Sequence, residues 1–323
     1  MNVLFLSNVD WANMGYNFSM ALKSVGVDST AAYSKDNPIG NLGVKRNRGN
    51  LEELLDEADT VILNHTDLSM TVSDIKKLII NRGKKLLVLH GGSKYRQNYK
   101  KYNNIYNPIV DVTLNFYDLG NRGAVNEKLL VVPIDTNFLQ PDYETPDKLV
   151  IAHYPIDINR KGTRDIFEAI EKVRGNFVFE CNWDGANDER GKLPILKWGE
   201  YLNKLRKCDI YIENLHNAQN DVPLTSFGVT TIEVAALGGI PVTLFKHMEE
   251  YEHDFGKCAV QVANTINEVH EKIEWLLSLS KGEILKLKRQ ARDWVVRCHS
   301  YEAVGLRLKY IIEDIDLGNE TCH

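Results

Sequence analysis

The chain has 323 residues, 43% hydrophobic and 26% charged, which excludes a disordered, collagen-like or fibrous chain and suits two globular domains of roughly 150 residues each. A net charge of −5 offers no global attraction for nucleic acid. Cys181, Cys208, Cys258, Cys298 and Cys322 form no C-x-x-C pair, MNVLFLSNVD has no basic n-region and no apolar run reaches 18 residues, so free thiols, no metal site and a cytoplasmic location are expected.

Strands and helices alternate along the chain. VLFLS is a short apolar run; Gly15 precedes the helical pattern YNFSMALKSVG, and VDSTAAY alternates as a strand does. TVILNH and KLLVLH predict buried strands flanking the helix TVSDIKKLIINRG, and VDVTLNF and LLVVP predict two more. Continuous β-branched runs separated by amphipathic helices are what a parallel sheet covered on both faces requires. Residues 135–148, DTNFLQPDYETPDK, have no period and are rich in proline and charge, the composition of a linker. The alternation then restarts with KLVIAHY, TRDIFEAIEKVRG, NFVFEC, GEYLNKLRKC, DIYIEN, a helix around Glu233 and IPVTLF. Helical patterns dominate from Thr265 onward, ending in YEAVGLRLKYIIEDI. The expected class is α/β, with two doubly wound Rossmann-like domains.

Open α/β sheets take ligands at the carboxyl ends of their strands, which directs attention to four strand-to-helix loops: SNVDWANMGYN, HGGSKYR, HYPIDINRKGT and NLHNAQNDVPLTSFGVTT. In the third, Lys161 and Gly162 precede the helix TRDIFEAI, so that an ammonium group and helix-start amides suit a phosphate; a solvated lysine beside a helix start is the plainer alternative. In the fourth, Ser226, Phe227 and Gly228 lead into a helix where Thr230-x-x-Glu233 has the form of a capping box. Glu233 is therefore either a cap or a ligand contact. The loop's Asn214, His216, Asn217 and Asn220 are further polar donors. Lys76, Lys77, Arg82, Lys84, Lys85, Lys94, Arg96, Lys100 and Lys101 face one acid, Asp74, within residues 76–101 and its flank. That run is either a solvated face or a dock for an anionic acceptor or membrane surface.

IAHYPIDINRKGTRDIFEAIEKV resembles the H-x-P...K-G-T helix opening of retaining GT-B glycosyltransferases of the family 4, or group 1, type. SFGVTTIEVAALGGIPV resembles that family's F-G-x-x-x-x-E-A-M-A-x-G-x-P-V segment, and VVPIDTNFLQP the end of its first domain. The resemblance implies an acceptor domain over residues 1–140 and a nucleotide-sugar domain over 141–299, facing each other across a cleft, with a helix at about 300–318 packing back on the first. It implies a metal-independent, retaining transfer of a hexose from a nucleotide-diphosphate sugar to a glycan or lipid-linked acceptor, with no cofactor. Lys161 is similar to the base that contacts the diphosphate, and Glu233 to the acid that accepts from the ribose hydroxyls. His90 is similar to a histidine near the reacting centre, with His65 a poorer equivalent; Gly15 is similar to the glycine of the first phosphate-approach loop. Gly162, Trp198, Thr225, Ser226, Phe227, Gly228, Val229 and Thr230 fall where the family holds the donor.

The chain departs from the family at two positions. Thr225 stands eight residues before Glu233, where a second acid usually contacts the sugar, and Pro155 stands where an arginine usually precedes the lysine, with Arg160 nearby. A non-catalytic nucleotide-sugar binder, or an epimerase or phosphorylase on the same fold, are the alternatives that these departures leave open.

Overall fold

The computed structural model describes residues 1–37, 40–47, 49–64, 70–144, 146–183, 193–215 and 225–320. His65, His216, Asn217, Asn220 and Cys322 lie outside them. The strands are β1 (Asn2–Val9), β2 (Asp28–Lys35), β3 (Val44–Lys45), β4 (Thr60–Asn64), β5 (Lys85–Leu89), β6 (Val112–Asn115), β7 (Glu127–Leu129), β8 (Leu149–His153), β9 (Phe177–Cys181), β10 (Ile210–Ile212), β11 (Ile240–Thr243) and β12 (Gln261–Val262). The α-helices are α1 (Met14–Ser24), α2 (Leu51–Asp56), α3 (Val72–Leu78), α4 (Gly92–Tyr106), α5 (Ile158–Lys161), α6 (Thr163–Lys172), α7 (Trp198–Arg206), α8 (Val229–Ala236), α9 (Met248–Phe255), α10 (Ile266–Ser278), α11 (Lys281–His299) and α12 (Tyr301–Glu320). Two compact units result, Met1–Asp135 with His299–His323, and Thr136–Cys298.

The first unit holds a seven-stranded sheet of order β3-β2-β1-β4-β5-β6-β7, parallel at every pairing. Leu4, Leu6, Val61, Leu63, Leu86 and Val88 pack with Leu55, Ile75, Ile79 and Tyr106 into one core, while Phe5 stacks on Phe18, which in turn stacks on Phe116. Side chains alternate across the strands, and both faces are covered, so the strands read as unbroken apolar runs. Helix α12 joins this unit by packing on α1. At their contact a methyl on Gly305 would overlap the Ala21 carbonyl, so the backbones meet there without side chains between them. Tyr301 donates to Asn17 at 2.9 Å.

The second unit holds a five-stranded parallel sheet of order β12-β11-β10-β8-β9. Ile151, Ile210, Ile212, Ile240 and Val242 pack with Ile166, Ile170, Val269, Ile273 and Leu276. The period-free segment at the start of this unit is fixed rather than free: Arg292 donates to the carbonyls of Thr136, Leu139 and Ala236, and Phe138 stacks on Trp198.

Several details differ from the sequence expectations. The strand predicted at LLVVP is β7, ending at Leu129; Leu130 makes one more bond to Asn115, and Pro133 has no N–H with which to continue a ladder. The predicted helix TVSDIKKLIINRG ends its α-helical part at Leu78 and finishes as a 3₁₀ turn capped by left-handed Gly83. Helices α2 and α9 were not expected. Nor was α4, whose inward positions are Tyr95, Arg96, Asn103 and Tyr106, too polar to carry an apolar period. The basic run is spread over α3, the turn after it, β5 and α4. Arg82 pairs with Asp56, Arg96 with Asp118, and Lys84 donates to Ala58; Lys76, Lys77, Lys94, Lys100 and Lys101 are exposed.

Candidate active site

In each sheet the chain reverses its winding at one strand pair, β1/β4 in the first unit and β8/β10 in the second. The carboxyl ends of such a pair are where loops diverge and leave room for a ligand. In the second unit these ends are His153 and, just beyond β10, Glu213.

Glu213 is 1% exposed and was not singled out in the sequence. Its Oε1 accepts from Lys161 Nζ at 2.9 Å and its Oε2 from the Gly228 amide at 2.9 Å; the Thr231 hydroxyl also donates to Oε2. Burial pushes the Glu213 carboxyl up, but Lys161, Thr231 and Gly228 outweigh it and hold the group below its ordinary value. Gly228 is the N-cap of α8 and has no side chain with which to cap it, so Glu213 caps that helix from another strand. A methyl on Gly228 would overlap Oε1, which is why the backbone there must be glycine.

The capping box expected at Thr230 and Glu233 is not formed. Because α8 begins at Val229, Thr230 is its second residue and its hydroxyl meets that of Tyr201 at 2.7 Å. Glu233 lies a turn further on, half-buried. Its carboxyl is raised to about 7, by burial first and then by the charge of Glu213, against hydrogen bonds from Trp198 and Tyr201. Two acids in one site are thus driven apart, Glu213 ionised and Glu233 titrating near neutrality.

Lys161 sits at the end of the short helix α5, whose N-cap Asp157 accepts from Arg160 N at 2.9 Å. Gly162 turns the chain left-handed, φ 66°, from α5 into α6. The Leu215 amide donates to the Lys161 carbonyl at 3.0 Å, which ties the loop after β10 to this turn. The side chain of Lys161 therefore reaches, through Glu213, the N-terminus of α8 rather than that of the adjoining α6. His153, fully buried, braces the same corner: Nδ1 donates to the Ile212 carbonyl at 2.7 Å, and Nε2, then an acceptor, lies 2.9 Å from the Thr163 hydroxyl. Burial lowers its pKa to about 4, so the ring is neutral.

The remaining predicted residues divide into two groups. Thr225 meets His247 Nε2 at 3.1 Å, Phe227 packs edge-on against Phe245, Tyr251 and Trp294, and Ser226 and Val229 are half-buried beside them. Trp198, 47% exposed, opens α7 and stacks on Phe138 with ring centroids 5.5 Å apart. All of these belong to the second unit, whereas Gly15 and His90 belong to the first. The amides of Gly15 and Tyr16, expected to receive a phosphate, donate to the Asp10 carboxylate at 2.7 and 3.0 Å, and Asn64 supports it at 2.9 Å. His90 is 1% exposed and stacks on Tyr95 at 3.8 Å; burial lowers its pKa to about 3. It is a neutral ring at physiological pH.

No family model and no curated protein sequence matches the chain. Solved structures do, over nearly its whole length. The sucrose-phosphate synthase of Thermosynechococcus elongatus is similar at TM-score 0.63 and 12% identity, over 98% of this chain and 100% of that one. Anabaena Alr3699/HepE in complex with UDP-glucose is similar at TM-score 0.65 and 12% identity, over 97% and 100%. A UDP-N-acetylglucosamine 2-epimerase reaches 0.51 and 14% identity, over 94% and 93%. The chain has the GT-B fold.

Within the GT-B fold the acid pair lies in the second unit, and Glu233 has a consequence that can be measured. An acid whose folded pKa lies above its unfolded value stabilises the protein relatively at low pH. That contribution is lost as pH rises from about 4.5 through about 7 and is constant above. Glu233→Gln is expected to flatten this part of the stability–pH curve and to raise stability at pH 8 by about 2–3 kcal/mol. Urea titrations of both proteins at pH 5 and pH 8 check it; an unchanged difference between the two pH values would contradict the assignment. Among the described residues no helix is long and apolar enough to cross a membrane, and no group of three or more metal-ligating side chains occurs.

Proposed function

We propose that the chain is a glycosyltransferase that takes a nucleotide-diphosphate sugar in its second unit and transfers a hexose to an acceptor hydroxyl. The observation that carries this reading is the convergence of Lys161, the N-terminus of α8 and Glu233 at the reversal point of a parallel sheet. A leaving diphosphate gains negative charge as the glycosidic bond breaks, and a lysine beside helix-start amides stabilises that charge without a metal ion. The Glu233 carboxylate can accept from two vicinal ribose hydroxyls, and Trp198 stands beside it to meet the base. His90 enters only as a neutral group of the acceptor unit. The exposed lysines of α3 and α4 would face an anionic, glycan or lipid-linked acceptor. The family resemblance further suggests retention by same-face attack, the leaving phosphate assisting deprotonation, with no protein nucleophile.

The similarity to a structure holding UDP-glucose makes that donor the first to test. Thermal shift against UDP-, GDP-, ADP- and dTDP-sugars is expected to show stabilisation by one of them, since binding only the folded state raises apparent stability. Because ribose hydroxyls favour the ionised form of Glu233, affinity is expected to rise as pH goes from about 5 to about 7 and then level off. A panel that produced no shift at pH 7.5 would remove the reading.

Thr225 favours a second reading. Its hydroxyl, held by His247, provides no carboxylate for the sugar, and a UDP-N-acetylglucosamine 2-epimerase shares the fold. A nucleotide-sugar binder would show affinity without turnover, and an epimerase would convert the nucleotide-sugar with no acceptor present.

A further inference from the structure

Lys161 is the cation assigned above to the donor's diphosphate, yet its ammonium is held by a carboxylate of the chain itself. A carboxylate and a phosphate present the same chemistry to it, two anionic oxygens on one centre accepting charge-assisted hydrogen bonds. The two partners differ in how they are fixed. Glu213 is 1% exposed, follows the central strand β10, and keeps its Oε2 between the Gly228 amide and the Thr231 hydroxyl. Lys161 is 26% exposed on a flexible four-carbon stem, and the carboxylate is its one ion-pair partner among the described residues.

We propose that Glu213 is an internal anion: it parks Lys161 at the mouth of α8, and the donor's diphosphate takes the ammonium over from it. This rests on the reading that the site receives a nucleotide diphosphate. The exchange is permissible because only Oε1 loses its partner. Oε2 keeps the amide and the hydroxyl, so Glu213 stays capped against α8 while Lys161 swings. Its charge then lies near the incoming phosphates and opposes them, so that it lowers donor affinity and returns Lys161 when the diphosphate leaves. Gly228 is what allows the acid to stand this close to the backbone. No other residue type there would leave room for the carboxylate.

The test measures binding of inorganic pyrophosphate and of UDP by calorimetry to the full chain and to three variants. Glu213→Gln, nearly isosteric, is expected to bind pyrophosphate roughly ten-fold more tightly than the wild type. Lys161→Ala combined with Glu213→Gln is expected to lose that gain, because the released ammonium is its source. Thr231→Val leaves both charges in place but removes a donor that holds the carboxylate once Lys161 has left; weaker pyrophosphate binding than the wild type is expected, and it serves if Glu213→Gln does not fold. Equal or weaker pyrophosphate binding by Glu213→Gln, tighter binding by Thr231→Val, or a gain that survives loss of Lys161 would overturn the proposal and leave Glu213 a helix cap alone. If Glu213→Gln gains pyrophosphate affinity while no protein binds UDP or any nucleotide-sugar, the internal anion stands and the donor assignment falls.

Discussion

Lys161→Ala is expected to destabilise the protein by about 3 kcal/mol, because truncating the partner of a buried acid leaves that acid as an uncompensated charge. Glu213 cannot turn to water: it is 1% exposed and held by Gly228 and Thr231. The pH dependence should change sign with the mutation. In the wild type Glu213 has a lowered pKa, so its stabilising contribution is present above the ordinary carboxylate value and lost as pH falls through the folded one. Without Lys161, burial dominates, the pKa rises, and the variant instead gains stability as pH falls. Adding Glu213→Gln removes the stranded charge and should restore most of the loss while nucleotide affinity stays low. Denaturant titrations of the two variants check this; identical midpoints would mean that Glu213 is not what Lys161 neutralises. The separation matters because loss of binding in Lys161→Ala alone could reflect either contact with donor or damage to the fold.

Gly162→Ala is expected to be as damaging by a different route. At φ 66° a side chain costs about 1 kcal/mol of backbone strain, and a methyl there would also overlap the Leu215 carbonyl oxygen. That carbonyl belongs to the loop after β10, whose Leu215 amide is bonded to Lys161, so relief of the overlap would pull Glu213 and Lys161 apart. A total of about 3 kcal/mol or more is expected. Gly83→Ala is the control: φ is 70°, but the space around the added methyl is open, so only the strain of about 1 kcal/mol should appear. Equal losses at the two glycines would show that the close approach at Leu215 carries no cost.

Much of the fold was legible because burial leaves a local record. Strands covered on both faces must be apolar throughout, and VLFLS, TVILN, KLLVL, LVIAH and IPVT are. Helix α4 was not legible, since tyrosines, Arg96 and Asn103 line its inner side and their partners, Asp118 and the Arg122 carbonyl, come from other segments. The capping motif at Thr230 misled for a related reason. Its pattern was genuine, but α8 starts at Val229, directly after Gly228, so Thr230 lies inside the helix, and the Glu213 carboxylate just beyond β10 supplies the cap. Gly15 illustrates the same effect in the first unit: the helix start is there, and Asp10 fills it.

Sequence alone determined that the chain forms two parallel α/β units, that Lys161 and Gly228 stand in strand-to-helix connections and that Glu233 stands in the helix that follows, because hydrophobic period and glycine placement act over a few residues. It could not show that Glu213, the acid that follows the strand IYI, is the partner of a lysine 52 positions away. That pairing exists only because β8 and β10 lie side by side, Ile151 against Ile210, and so deliver their following loops to one place. Electrostatic energy depends on distance through space, and only the tertiary structure sets that distance.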